Sequence, residues 1–343
     1  MSLTWTSRTS ADNLSWQSVT YGNGLFVAVA SGFTNPQVMK VMTSPDGITW
    51  TSRTSAANNI WQSVTFGNGL FVAVASSGLA IPHVMTSPDG ITWTSRTSAA
   101  NNSWKSVTFG NGLFVAVNSS STTTPQVMTS PDGITWTSRT SAANLSWQSV
   151  TFGNGLFVAV ASSGLAIPHV MTSPDGITWT LGTSISSNNW RSVTYGNGLF
   201  VAVASNGTND RVMTSPNGTS WSSRTSAANN VWYSVTYGNG LFVAVASSGT
   251  NRVMTSSDGI TWTLGTSAAI NSWTSVTYGN ELFVAVSSDL SNNLVMTGSI
   301  TQEPYPCFKE GSKIETDKGY INIEELKKGD LVKTLRDGYK PIT

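Results

Sequence analysis

Charge is scarce in this chain. Only 10% of its 343 residues are charged, and the formal net charge is +1, so no electrostatic argument points to nucleic acid or an anionic membrane as a partner. A single cysteine, Cys307, excludes an internal disulfide framework. The only two histidines, His83 and His169, sit in two copies of Leu-Ala-Ile-Pro-His without further ligands nearby. Neither a metal nor a cofactor is therefore expected. The longest apolar runs, such as residues 25–30, are far too short to cross a bilayer. The N-terminus is polar and already belongs to the pattern described next, so no signal peptide is expected, and a cytoplasmic or virion-associated location is favoured over classical secretion. Before residue 300, Glu281 is the only glutamate, which disfavours glycosidase chemistry built on paired carboxylates.

What the chain has in abundance is repetition. All fourteen tryptophans fall into seven pairs, from Trp5/Trp16 to Trp262/Trp273, and the members of each pair are eleven residues apart. Each pair brackets a version of GITWTSRTSAANNxWQSVTYGNGLFVAVA, so one unit of 41 to 45 residues is written seven times. Within the unit, period-two alternation runs through WQSVTY and LFVAVA, followed by two shorter β-like stretches, VMTS and ITWTS. Asn-Gly joins the first two strands in six copies, beginning with Asn23-Gly24, and suits a tight hairpin because both residues tolerate positive φ. SPDG, as at Ser44 to Gly47, joins the last two.

Four strands per unit is the count of a propeller blade. The last unit lacks an ITW strand, and Leu3-Thr4-Trp5 is a spare one at the start. An N-terminal strand that completes the last blade closes the ring. The expectation is an all-β chain: a closed seven-bladed propeller of four-stranded blades over residues 1–300, monomeric, with a hazard of strand swapping between near-identical units. Charge density then rises, from ten Lys/Arg and nine Asp/Glu in residues 1–300 to eight and seven in residues 307–343. Residues 301–306 read as a linker and 307–343 as a second, differently built β segment.

All length variation falls in one loop, between the second and third strands. It has 11, 9, 9, 9, 8, 7 and 8 residues in successive units, running from Ala30 to Lys40 in the first and from Ser287 to Leu294 in the last. This loop is expected on the same face as the Ser-Ala-Ala-Asn-Asn connection between blades, and loops on a rigid scaffold are where binding concentrates. Candidate binding residues on that face are Asn58, Asn59, Asn101, Asn102, His83, His169, Asn206 and the pair Thr250 and Asn251. The tryptophans read as packing between blades rather than as ligand platforms. Arg8, Arg53, Arg96, Arg139 and Arg224 could form an anion-binding ring, but Leu-Gly replaces Ser-Arg in two units, which favours a solvated outer-strand position.

Two segments resemble known families. SPDGITW is similar to the Asp-box of sialidase-like and other BNR-repeat propellers, S-x-D-x-G-x-T-W, with Ser44, Asp46, Gly47, Thr49 and Trp50 matching in type but Asp and Gly adjacent. That resemblance implies a structural hairpin and not an activity. Cys307 to Thr334 resembles the opening block of a Hint domain, the self-processing fold of inteins and hedgehog proteins. The features carrying it are Cys307, Gly311-Ser312, Ile314, Thr316, Gly319, Ile323-Glu324-Glu325-Leu326 and Gly329-Asp330-Leu331-Val332. The resemblance implies that Cys307 is a nucleophile attacking the carbonyl before it. It also implies a later Thr and His that activate this bond. The segment through Thr343 contains no His, so processing is expected only with the remainder supplied. The tail is also similar in flavour to tails of large DNA virus proteins.

Two functional readings follow. The first is a non-enzymatic, multivalent binding propeller for a glycan or protein surface, carrying a truncated Hint-type segment. The second is a structural or surface-display protein, of a virion for instance, whose full-length form is self-processed at Cys307.

Overall fold

A computed structural model describes residues 2–32, 39–78, 82–162, 168–183, 186–291, 293–301, 311–334 and 338–341. Two compact units emerge: Leu3–Ser299, and a second made of Ile300–Thr343 with Met1–Ser2. Among the described residues no helix is long and apolar enough to cross a membrane.

The first repeat shows how a unit folds. After β1 (Ser2–Arg8) come β2 (Ser15–Gly22), β3 (Leu25–Ser31), β4 (Val41–Ser44) and β5 (Thr51–Arg53). Strands β2 to β5 form one antiparallel sheet in sequence order, and five further sheets repeat this arrangement. The seventh has the order β1, Val295–Thr301, Leu282–Ser287, Trp273–Gly279. The N-terminal strand therefore completes the last sheet, as the imbalance of strands at the two ends implied. Each innermost strand contacts the next one around, and β2 contacts Trp273–Gly279, so the ring of seven sheets is closed. The first unit is a β-propeller.

Turn chemistry fixes the inner hairpin. Asn23 and Gly24 have φ of 49° and 74°, the positive values that an Asn-Gly pair adopts readily. The seventh hairpin has Asn280-Glu281 instead, yet both residues still take positive φ.

The fourth strand is shorter than the ITWTS pattern suggests. Asp46 Oδ1 accepts the backbone N–H groups of Ile48 (2.8 Å) and Thr49 (2.9 Å) together with the Ser44 hydroxyl (2.9 Å). Those N–H groups are thereby withdrawn from the ladder, and β5 begins only at Thr51. The five Asp residues at this turn, Asp46, Asp89, Asp132, Asp175 and Asp258, are all held below the usual carboxylate range by these bonds, foremost the one from the Thr amide; Asp258 falls to about 2. A carboxylate with a depressed folded-state pKa contributes stability above its unfolded pKa of about 3.9 and loses it as pH falls through the folded value. Thermal stability is thus expected to drop between about pH 5 and 2. Asn217 shows that an amide can fill the same turn, its Oδ1 accepting from Thr219 N at 3.1 Å and Ser220 N at 3.0 Å. Replacing all five Asp by Asn should leave neutral-pH folding intact and flatten the acid limb of a Tm-against-pH curve; an unchanged limb would show that other groups control it.

Period two in LFVAVA separates two cores rather than inside from outside. Phe26, Ala28 and Ala30 pack with Trp16, Met42 and Trp50 and with Val284, Val286 and Val295 of the last sheet. Val27, Val29 and Val41 pack on the other side, with Trp61, Phe71, Met85 and Trp93 of the next. Both faces of each strand are covered by neighbours, so Phe26 to Ala30 are all buried. The inner tryptophan of each pair is fully buried in this packing, while the outer one keeps an edge near the surface and, in every pair but that of Trp5, donates Nε1–H to a turn carbonyl, as Trp50 does to Gly47 O at 3.0 Å.

The innermost strand is a sheet edge whose N–H groups need partners. A register shift between Trp16 and Ser18 re-aims the chain. Val64 N–H then donates to Ser18 Oγ of the preceding sheet at 3.2 Å, and the same bond recurs at each junction round to Val19 N–H on Ser275 Oγ at 3.1 Å. One serine per unit thus links the ring seven times.

The second unit holds a four-stranded sheet in the order Gly319–Asn322, Lys313–Thr316, Leu331–Thr334, Gly338–Pro341. Ile323–Glu325 forms a 3-10 turn beside it.

Candidate functional site

The variable loops and the inter-blade connections meet on one face of the propeller. Each variable loop is closed at its neck by a backbone bond: Ala30 N–H to Lys40 O, Ala75 to His83, Asn118 to Gln126, Ala161 to His169, Ala204 to Arg211, Ala246 to Arg252 and Ser287 to Leu294, all at 2.9–3.0 Å. The residues between the necks carry the variation in length. Parts of four loops, 33–38, 79–81, 163–167 and 292, lie outside the described residues.

In five of the seven necks the last residue has a task the sequence reading missed. Lys40 Nζ donates to Asn59 O (2.9 Å), Gln126 Nε2 to Leu145 O (2.8 Å) and Arg211 NH1 to Asn230 O (2.7 Å), in every case a carbonyl of the next blade's connecting loop. His83 Nδ1 meets Asn102 O at 3.2 Å and His169 Nδ1 meets Asn188 O at 3.3 Å, in the same place. Five side chains of four kinds make one latch between blades. Four of the five are buried, and burial lowers the pKa of Lys40 and His83. The two histidines are accordingly frame residues, each holding a backbone acceptor of the next blade rather than facing a ligand.

The connecting loop reciprocates. Asn59 Nδ2 donates to Pro82 O and Asn102 Nδ2 to Pro125 O, both at 2.6 Å, and both residues are buried. Asn188 and Asn230 do the same to Asp210 O and Thr250 O. Asn59 and Asn102, chosen from sequence as binding residues, spend their amides on loop carbonyls. Asn58 is half-buried, whereas Asn101, Asn206, Thr250 and Asn251 are exposed on the loop face. Asn206 Oδ1 accepts the Asn189 N–H at 2.5 Å, which fixes its direction. The exposed polar set is thus smaller than expected and stands on a frame bonded from blade to blade.

The repeated arginines occupy the outer strand. Nε of Arg53 donates to Thr43 Oγ1 on the adjacent strand at 3.0 Å, and Arg8, Arg96, Arg139 and Arg224 make the equivalent bond at 2.9–3.0 Å. Cys307 falls outside the described residues. In the second unit, Gly311 N–H donates to Glu324 Oε1 at 2.9 Å, and Lys333 pairs with Glu315 at 2.9 Å. Among the described residues no three His, Cys, Asp or Glu side chains gather as a metal set.

Comparison with solved structures agrees with the architecture. Virginiamycin B lyase from Staphylococcus aureus superposes with a TM-score of 0.70 at 10% identity, over 88% of this chain and 99% of that one. YCF48 from Cyanidioschyzon merolae gives 0.63 at 14% identity, over 86% and 98%. The computationally designed protein Ika8 gives 0.56 at 11%, over 86% and 100%. At such identities the likeness is one of fold, the β-propeller. Residues 306–343 match the family described as Hint domain. No curated protein matches the sequence.

Proposed function

We propose that the propeller is a non-enzymatic, multivalent binding module for a glycan or protein surface, built from Asp-box-like units and carrying a Hint-type segment. One observation carries this reading: a frame bonded at every junction presents equivalent loops that differ in length only beyond their hydrogen-bonded necks. Asn101, Asn206, Thr250 and Asn251 are the exposed residues that would meet a ligand there, and Asn58 flanks them. Weak equivalent sites on one ring gain from avidity when the ligand is itself repeated. The full chain on a glycan array and in a pull-down should show saturable binding that falls when these residues become alanine. No saturable ligand in either assay would leave the ring as a scaffold only.

The match of residues 306–343 to the Hint family favours a second reading alongside the first, a surface-display protein released or attached by self-processing. In that step the Cys307 thiol adds to the Pro306 carbonyl, the Pro306–Cys307 C–N bond breaks, and a thioester and a free Cys307 amine result. Residues 307–343 contain no His, so a His that activates the scissile amide is not among them. Intact mass of the natural product with and without added thiol distinguishes a processed chain from an inert one.

A further inference from the structure

We propose that grooves on the outer rim of the propeller bind acidic saccharides, with the outer-strand arginine taking the carboxylate of one hexuronate unit per groove. The sites are separate from the variable-loop face and do not depend on what binds there. Three grooves of 400–420 Å3 run between the outer strand of one blade and the Asp-containing turn of the next. Each is built from one text: Ser-Arg-Thr-Ser on one wall and Ile-Thr-Trp on the other, as with Ser223–Ser226 facing Ile260–Trp262. Such volumes suit a small ligand.

In each of these grooves the arginine forms no ion pair among the described residues. Arg8, Arg53 and Arg224 each use Nε on a threonine, and their terminal amino groups have no hydrogen-bond or ion-pair partner among the described residues. The only salt bridges among the described residues lie in the C-terminal sheet. The Asp of each facing turn, Asp46, Asp89 or Asp258, spends Oδ1 on the N–H groups of its own turn. None of them forms an ion pair with an arginine among the described residues, and Asp12 accepts from Ser52 beside the Arg53 groove. The threonine holds the guanidinium in place, and its two outer N–H groups form a planar fork that matches a carboxylate.

The rest of the lining argues for a sugar. In the Arg224 groove Ser223, Thr225 and Thr261 are exposed hydroxyls, Ile260 is an exposed aliphatic surface, and Trp262 is committed through Nε1 to Gly259 O at 3.0 Å. One cation, several hydroxyls and one small apolar face complement a hexuronate, which offers one carboxylate, several hydroxyls and a C–H face. Strand addition by an acidic peptide is disfavoured, because the outer edge, Ser222–Arg224, is only three residues long.

The chain contains its own counterexample. Where Gly182 replaces arginine, Thr183 N–H and Oγ1 both donate to Thr219 O of the next turn, at 2.9 and 3.0 Å, and a Cβ on Gly182 would lie 3.3 Å from that oxygen. That junction is bridged by backbone where five others carry an arginine, Gly265 standing in the remaining one. The unit folds without the arginine, so the arginine is not required by the frame.

The test titrates the full chain with tetragalacturonate, using uncharged tetragalactose and a tetraglutamate peptide as comparison probes, followed by calorimetry. Tetragalacturonate should bind at least about tenfold more tightly than either comparison probe, since its carboxylate gains charge-assisted bonds and its hydroxyls find partners. Changing all five arginines to glutamine should weaken it by about tenfold or more while leaving a single cooperative unfolding transition, even though five Nε–Thr bonds are lost. Equal affinity for the neutral probe, tighter binding of the peptide, or wild-type affinity in the five-arginine variant would each overturn the proposal. Failure here would not touch the loop-face reading, whose own variants leave the arginines in place.

Discussion

A chain lacking residues 1–8 is expected to lose a large share of its stability and to associate at high concentration. β1 is the outer strand of the closing blade, and its removal exposes the edge of Val295–Thr301. Trp5 is 8% exposed, its ring lies 6.5 Å from that of Phe283, and it covers Gly298, where an added Cβ would come within 3.0 Å of the indole. Arg8 Nε is lost from Thr297 Oγ1 as well. Losing one buried tryptophan costs about 3–5 kcal/mol, against a total of about 5–15 kcal/mol for a typical folded protein. The exposed edge is also a template for another chain's outer strand. Denaturant unfolding and light scattering read the two effects, and a peptide of residues 2–8 added in trans should recover part of both. An unshifted midpoint together with a monomeric profile would show that the ring closes without β1.

Gly153→Ala is expected to destabilise the propeller by about 3 kcal/mol, at the upper end for overpacking a filled core. An added Cβ would sit 2.1 Å from Tyr195 Cγ and 2.4 Å from its Cβ. The tyrosine ring has little room to retreat, since Phe200 lies 4.7 Å away, centroid to centroid. The contact crosses a junction, from one blade's first strand to the next blade's, and it recurs round to Gly279 under Tyr21. Gly155, two residues on, is a control of a different kind. It has φ of 73° and open space around a built Cβ, so Gly155→Ala should cost only the about 1–2 kcal/mol of a left-handed L-residue. The double change Gly153→Ala with Tyr195→Gly, which removes the tyrosine Cβ along with its ring, should cost less than the sum of its parts in a double-mutant cycle. Additive costs would place the strain elsewhere.

The frame was largely readable from the letters because its devices are periodic. Trp spacing counts the blades, Asn-Gly marks the inner hairpins, and the spare Leu3-Thr4-Trp5 reveals the closing strand. The latch residues were not readable. Apart from the two histidines, Lys40, His83, Gln126, His169 and Arg211 look unrelated as letters, and what unites them is a backbone carbonyl on the next blade. A carbonyl acceptor has no letter of its own, so polar residues that serve one look like surface residues. Asn59 and Asn102 read as surface residues for the same reason, while their amides are spent on loop carbonyls. The short outer strand was overextended because Ile48-Thr49 has strand propensity, and only the Asp46 carboxylate shows why its amides leave the ladder. The rim arginines kept their outer-strand place, and what the letters did not show was the groove each one borders.

The closed necks of the variable loops separate two kinds of change. Between Ala30 and Lys40, or Ala204 and Arg211, residues can be gained or lost without disturbing the neck bond, the latch or the strands on either side. Each loop is in effect an exchangeable cassette with standard fittings. Such a ring can acquire a new contact surface one blade at a time, by drift or by grafting, while the other six continue to hold it shut.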